Sequence, residues 1–235
     1  MKHLTFVLIF LTGTLHAQSP FSSSDVADAT ERITGRRAHM NAEMRMFSGV
    51  RLQGPAITMR AVRDDRASAM EEGLKAIKIL ESAAPGSVIV LVLEGDKSFA
   101  VFGATFATLA KSRKLGGFVI DGSMRGVTEF RTLSVPMFAV GTVSGSAGGH
   151  YRLEAVNTQV VCAGVEVAPG DLIVGDADGV AIAPRAYISD ILARARRLRQ
   201  DKQALLALVA RYKSYTEAVK RRQVADDAHV KKLRK

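Results

Sequence analysis

The chain predicts an α/β fold: parallel βαβ units, then a second β-rich layer giving a β/β/α sandwich, then a C-terminal helical extension. Three observations carry this reading. Residues 88–93 (Val-Ile-Val-Leu-Val-Leu) form an unbroken apolar run, the pattern of a strand buried on both faces. Helical periodicity alternates with such runs between residues 68 and 140, as βαβ crossovers require. Beyond Val156 the pattern becomes short β segments punctuated by Pro169-Gly170-Asp171 and Asp176-Ala177-Asp178-Gly179. At 235 residues and 47% hydrophobic side chains, one sizeable core is within reach, and no linker-like stretch divides it.

Taken in order, Met1-Lys2-His3 precedes an apolar stretch over residues 4–15 that is too short to span a bilayer and closes on Leu15-His16-Ala17. Residues 1–17 therefore predict a cleaved secretory signal and a secreted or periplasmic protein. Ser22-Ser23-Ser24-Asp25 predicts a helix cap, with the helix running to about residue 33 and Asp28 in its first turns. A loop with Met40, Met44 and Met46 follows. Residues 50–62 predict a strand that Gly54-Pro55 interrupts, which suits an edge or a bulge. Residues 68–82 predict a helix burying Met70, Leu74, Ile77 and Leu80 or Ile79. After the apolar strand come a turn at Glu94-Gly95-Asp96-Lys97, a helix over 103–114 and a strand over 117–120. An Arg125 turn, a short helix over 127–133 and a strand over 136–140 complete the first half. Short strands over 159–162, 165–167, 171–174 and 179–183 are expected to fold over the first sheet. From Ala186 onward, Ile188, Ile191, Leu192, Ala195 and Leu198 recur at helical spacing.

Charge separates the body from the tail. Residues 1–184 hold 18 Lys and Arg against 18 Asp and Glu, whereas residues 185–235 hold 15 against 5 and carry the whole formal charge of +10. The tail predicts a helix or helix pair packed on the body or on a neighbouring subunit, with a basic face open to an anionic surface. No nucleic-acid module or interleaved aromatic pattern points to a specific nucleic-acid partner. Cys162 is the sole cysteine, so an intrachain disulfide is excluded, and its apolar neighbours predict a buried strand thiol. There is no P-loop, GxSxG elbow, HExxH or CxxC, and His39, His150 and His229 have no metal-ligand spacing. His150, after the Gly-rich segment 144–149, predicts a surface or subunit contact.

In parallel α/β sheets, ligands bind beyond the carboxyl ends of the strands. Glu94-Gly95-Asp96, the Gly103-led helix start and Asp121–Arg125 all fall at that edge. A helix N-terminus offers free N–H groups to an anion, and a guanidinium grips a carboxylate with two parallel hydrogen bonds. The pattern predicts a cradle for a small carboxylate. Asp121 is expected to hold the turn or pair with Arg125, and is a weaker candidate for a metal ligand.

Gly103–Ala107, Gly117–Arg125, Pro136–Ala139, Val167–Val174 and Asp176–Pro184, with Ser24–Asp28 and Gly54–Thr58 upstream, resemble the RraA-like family in order and spacing. That family includes 4-hydroxy-4-methyl-2-oxoglutarate aldolases and the regulator of ribonuclease activity. The resemblance, over roughly residues 22–184, implies a swivelling-type β/β/α fold, a homotrimer or hexamer, and sites at subunit edges. It implies that Gly103, Ala104, Thr105, Phe106 and Arg125 hold a pyruvate-like part of a small 2-oxo acid, with Arg125 at the catalytic position. It also implies a divalent cation, Mg²⁺ or Mn²⁺, and either retro-aldol cleavage or oxaloacetate decarboxylation through pyruvate enolate. The chain departs from the pattern at two places. Gly126 stands where family aldolases place a metal-binding Asp, and Ala104 stands where an acid is frequent; Glu94, Asp96, Asp121 or Glu129 are the carboxylates that could supply oxygen ligands instead. A non-catalytic carboxylate-binding or interaction protein is the alternative, and Gly126→Asp is expected to strengthen a metal-dependent reaction. Inhibition of a cytoplasmic ribonuclease conflicts with the expected signal.

Overall fold

A computed structural model describes residues 21–223; the expected signal, residues 1–17, lies outside them. The described chain opens with α1 (Ser23–Thr34), fixed at its start by a reciprocal cap. The Ser22 hydroxyl accepts from the Asp25 N–H at 3.1 Å, and the Asp25 carboxylate accepts from the Ser22 N–H at 3.1 Å. Gly35, at φ 67°, ends the helix.

Next come β1 (Arg45–Ser48), β2 (Leu52–Arg63), α2 (Ala69–Ser82), β3 (Val88–Val92), α3 (Ala104–Arg113) and β4 (Gly117–Met124). They are followed by α4 (Val127–Thr132), β5 (Met137–Thr142), β6 (Tyr151–Val156), β7 (Val160–Cys162) and β8 (Val165–Val167). The β9 (Leu172–Asp176) and β10 (Gly179–Ala183) hairpin leads to a short 3₁₀ turn and α5 (Ile188–Tyr212), and residues 215–223 are again helical.

β2, β3, β4 and β5 are parallel neighbours, as the alternating pattern requires. β1 closes one edge antiparallel to β5, and β9 and β10 extend the other side through β2. The second half thus joins the first sheet, and only the β7–β8 ribbon lies over it. β1 and β6 are additional strands, and β6 carries the apolar–polar alternation Tyr151-Arg152-Leu153-Glu154-Ala155.

Two expectations are corrected here. β2 is not an edge strand broken at Gly54-Pro55: it runs unbroken for 12 residues and pairs with β3, β6 and β9. Pro55 is tolerated because it is the last residue of the β9 pairing, and the β3 ladder on the other side begins only at Ala56. In α2, Met70 is 75% exposed and Leu74 49% exposed, while Leu80 is fully buried and Ala76 and Ile79 pack against the core. The stripe facing the sheet is narrow and built on small residues, which leaves room beneath the helix start.

Side-chain alternation gives the central sheet two packed faces. Met59, Ile89, Leu91, Phe118 and Ile120 face α2, α3 and α4. Val88, Val90, Val92 and Val119 face Met40, Met44 and the β7–β8 ribbon. A third cluster joins α1 to β9, β10 and α5, in which Ile191 and Ala195 are fully buried. The basic extension therefore docks on the body through its first turns. Asp176, in the β9–β10 hairpin, accepts from the Ser23 N–H at 2.7 Å and hydroxyl at 2.6 Å, tying α1 to the far strands. Cys162 is fully buried among apolar side chains, and burial pushes its thiol well above the usual range, so it stays neutral.

Candidate functional site: a carboxylate cradle

Between α2 and α3, over the face of β2 and β3, lies a cavity of about 520 Å³. Gly103, Ala104, Thr105, Phe106 and Arg125, the residues singled out from the sequence, all line it. Gly103 caps α3 without any side-chain acceptor. The Phe106 and Ala107 N–H groups turn back onto the Gly103 carbonyl at 3.0 and 3.1 Å, which leaves the Ala104 and Thr105 N–H groups without an acceptor among the described residues. Two free donors at the positive end of a ten-residue helix form an anion-receiving edge. Phe106 backs this edge by packing on Phe102, ring centres 4.5 Å apart.

Arg125 reaches the same place from the end of β4. Its N–H donates to the Phe102 carbonyl at 3.0 Å, which docks the turn onto the approach to α3. Its side chain crosses Gly103: a Cβ there would meet Arg125 Cγ at 3.4 Å and Nε at 3.5 Å. Nη1 donates to the Ser144 carbonyl at 3.3 Å, so the Gly-rich segment after β5 steadies the guanidinium. Ser146, Ala147, Gly148 and Gly149 of that segment form part of the cavity wall. Their contribution escaped the sequence reading, although a Gly-rich stretch beyond a parallel strand is a usable signal.

The rest of the wall is apolar or small (Met59, Ala61, Leu91, Phe102, Leu153) except for Tyr151, Glu72 and Glu129. Tyr151 donates to Asp96 at 2.6 Å, and burial together with that carboxylate pushes its phenol up to about 12. It is therefore held as a neutral donor rather than poised for proton transfer. His150 lies beyond the wall, stacked on Phe99 at 3.8 Å and bonded to Asp65 at 2.8 Å.

Two acidic expectations change. β4 runs through to Met124, so Asp121 lies within the strand rather than in a turn. It has the parity of Val119 and points to the face opposite the cavity, where its carboxylate accepts from the Ala163 N–H at 2.9 Å. It neither pairs with Arg125 nor reaches the cavity. Burial pushes its carboxyl above the usual carboxylate range, with the nearby charges of Glu43 and Glu94 adding to the effect. A raised value in the folded protein means that Asp121 contributes stability below its unfolded value of about 4, and loses it as pH climbs through the folded one. Asp121→Asn, which keeps an acceptor for Ala163, is expected to gain in Tm relative to the native chain between pH 4 and 7; parallel Tm profiles would show that reading of Asp121 to be wrong. The Glu94-Gly95-Asp96 turn is likewise engaged elsewhere, Glu94 with Arg60 and Asp96 with Tyr151 and Ser98.

Gly126 follows Arg125 at φ 72°. A Cβ there would lie 3.0 Å from the Ala104 nitrogen and 3.3 Å from Glu129 Oε2. Hard cations take oxygen ligands, and the carboxylates on this wall belong to Glu72 and Glu129. Glu72 already accepts from the Leu153 N–H at 2.7 Å and from Lys75 at 2.6 Å. Glu129 forms no ion pair among the described residues, where no cluster of three or more His, Cys, Asp or Glu able to hold a metal is found either. The donor set fits a cation held by one protein carboxylate and the oxygens of a bound acid, and does not fit a self-contained cage. Gly126→Asp now carries a different expectation: it crowds the start of α3 and sets a second carboxylate beside Glu129. It should lower Tm and leave metal-dependent turnover no higher than native, and increased turnover would restore the reading from sequence.

The mixed-sheet body, with a helix start and one arginine meeting at a cavity, is an α/β protein. The chain belongs to the RraA-like (Aldolase/RraA) family, whose pattern matches residues 23–182. A protein of Halalkalibacterium halodurans, provisionally named a 4-hydroxy-4-methyl-2-oxoglutarate aldolase, is 32% identical over 181 residues, covering 77% of this chain and 80% of that one. An uncharacterised protein from Pseudomonas syringae pv. tomato shares the fold with a TM-score of 0.76 at 24% identity, covering 85% and 89% of the two chains. The RraAS2 protein of Streptomyces coelicolor, described as an unusual member of the RNase ES inhibitor RraA family, matches with a TM-score of 0.67 at 26% identity over 77% and 89%.

Proposed function

We propose that the protein is an exported carbon–carbon lyase that releases pyruvate from a small 2-oxo dicarboxylate. Its substrate would be 4-hydroxy-4-methyl-2-oxoglutarate, by retro-aldol cleavage, or oxaloacetate, by decarboxylation. The observation that supports this reading is the meeting of the free Ala104 and Thr105 N–H groups with the Arg125 guanidinium at one cavity. In this reading the Ala104 and Thr105 N–H groups donate to the carboxylate next to the oxo group, and Arg125 donates to the oxo oxygen. When the C3–C4 bond of the hydroxy-acid breaks, its electron pair becomes the C2–C3 double bond of an enolate, and charge gathers on the oxygen that Arg125 faces. The C4 hydroxyl loses a proton as it becomes the carbonyl of one pyruvate, and C3 gains one to give the second. The apolar wall excludes water from the enolate and favours protonation at carbon over side reactions. A divalent cation, suggested by the family relationship, would supply further positive charge at the enolate oxygen.

Pyruvate release from both acids, with and without Mg²⁺ or Mn²⁺, tests the reading. Metal-dependent release above the metal-only background supports a lyase. No release from either acid, with pyruvate still bound, turns the site into a carboxylate-binding module, the reading that the missing side chain at Gly126 favours. We further propose a trimeric or hexameric assembly, since exposed Met70 and Leu74 sit on α2 beside the cavity. A monomeric mass in light scattering would count against it.

A further inference from the structure

The cavity places a carboxylate where an incoming carboxylate must land. The Ala104 nitrogen and Glu129 Oε2 lie 3.0 and 3.3 Å from one point, the position of a Cβ on residue 126, and so lie within about 6 Å of each other. Among the described residues the N–H has no acceptor and the carboxylate forms no ion pair. Arg125, four residues before Glu129, turns instead to the Ser144 carbonyl and forms no ion pair with it. A carboxylate accepting from the Ala104 N–H comes into the neighbourhood of Glu129, and two like charges so placed disfavour each other.

We infer that Glu129 is the acidic group of this site and couples the binding of a 2-oxo acid to that of a divalent cation. The inference rests on the reading of the cavity as a 2-oxo acid site. A cation lodged between Glu129 and the bound acid turns the repulsion into two attractions, with oxygen ligands from both sides. The acid that family aldolases carry directly after the arginine is supplied here from one helical turn further on. Position 126 is thereby freed to be Gly, the residue that its left-handed backbone favours. Each ligand then assists the other by the same factor, as thermodynamic linkage demands.

Glu129 is exposed and unpaired, so Glu129→Gln is expected to leave Tm in the absence of ligands within about 2 °C of native. The probes are pyruvate, a weak chelator, measured by calorimetry with and without Mg²⁺, and Mn²⁺, measured by its free-ion electron paramagnetic resonance signal with and without pyruvate. In the native protein Mg²⁺ should tighten pyruvate about tenfold or more, and pyruvate should tighten Mn²⁺ by the same factor. In Glu129→Gln, metal-free pyruvate should bind several-fold more tightly than in the native protein, because the repulsion is gone, while the metal enhancement disappears. An equal metal enhancement in both proteins overturns the coupling and leaves the 2-oxo acid reading standing. A native protein that binds no pyruvate, with or without metal, overturns both. Proton uptake on metal-free binding to the native protein, absent in Glu129→Gln, would show that a proton rather than a cation relieves the repulsion and would also overturn the proposal.

Discussion

Arg125→Ala is expected to lower kcat/KM for pyruvate release by about 10²–10³ and to weaken pyruvate binding by a comparable factor. Removing one donor to an oxygen on which negative charge develops costs about 10²–10³ in rate, and Arg125 is that donor to the oxo oxygen in this reading. The side chain is exposed, and its one hydrogen bond among the described residues is the 3.3 Å contact with the Ser144 carbonyl, so the fold should barely notice the change. Tm within about 2 °C of native would confirm that. Arg125→Lys separates charge from geometry: it keeps the positive charge but lacks the planar fork, and should retain part of the affinity while losing about tenfold in rate. A fall of less than threefold in the alanine variant would remove Arg125 from the reaction and, with it, the reason for placing the oxo group beneath it. The measurement is a steady-state comparison of the three proteins at saturating metal.

Why was the cradle legible in the sequence while its acidic partners were not? Gly103 to Phe106 and Arg125 are placed by backbone rules: a helix start and the end of a parallel strand fall at one sheet edge whatever the side chains around them do. The carboxylates depend on rotation about that backbone. Asp121 looked like a turn residue because Gly122 follows it. β4 continues instead to Met124, so alternation sends Asp121 to the far face. Glu129 is one of four carboxylates that the sequence offers without choosing among them, and only the three-dimensional path of α4 brings it back beside Gly126. The buried strands of βαβ units announced themselves as continuous apolar runs, and β3 is buried at all five positions. β1 and β6 lack such a run: β1 is only four residues long and takes its place from its pairing with β5, and β6 carries only a short alternating pattern and pairs with β2. In α2, packing of Ala76 and Leu80 set the inward face, against the more conspicuous Met70 and Leu74.

The Gly54-Pro55 pair illustrates the same point through stability. Glycine there was read as a break in the strand, yet β2 is continuous through it. The structure gives another reason for the glycine: a Cβ at residue 54 would stand 1.9 Å from the Gly86 carbonyl oxygen. That oxygen is wedged from the other side too, since a Cβ on Gly116 would lie 2.5 Å from it. The loop entering β3 thus passes between the starts of β2 and β4, and its course is pinned by the Gly86 N–H bond to the Lys114 carbonyl and the Gly116 N–H bond to the Ser87 carbonyl, both at 2.8 Å. A methyl group at residue 54 meets backbone, which cannot rotate away as a side chain would. Overpacking against yielding neighbours costs about 1–3 kcal/mol, and here the neighbour does not yield, so Gly54→Ala is expected to cost about 4 kcal/mol or more. That is a large part of the 5–15 kcal/mol that ordinarily holds a domain folded. Gly73→Ala is the matching control: nothing lies within 4 Å of a Cβ there, the residue is inside α2, and alanine should add about 0.5–1 kcal/mol of helix stability. Opposite signs for one chemical change, read by urea unfolding of the two variants, would show that close backbone approach fixes Gly54. A Gly54→Ala variant as stable as native would mean that the β3 entry loop can shift, and that the starts of the parallel strands are more loosely held than their packing requires.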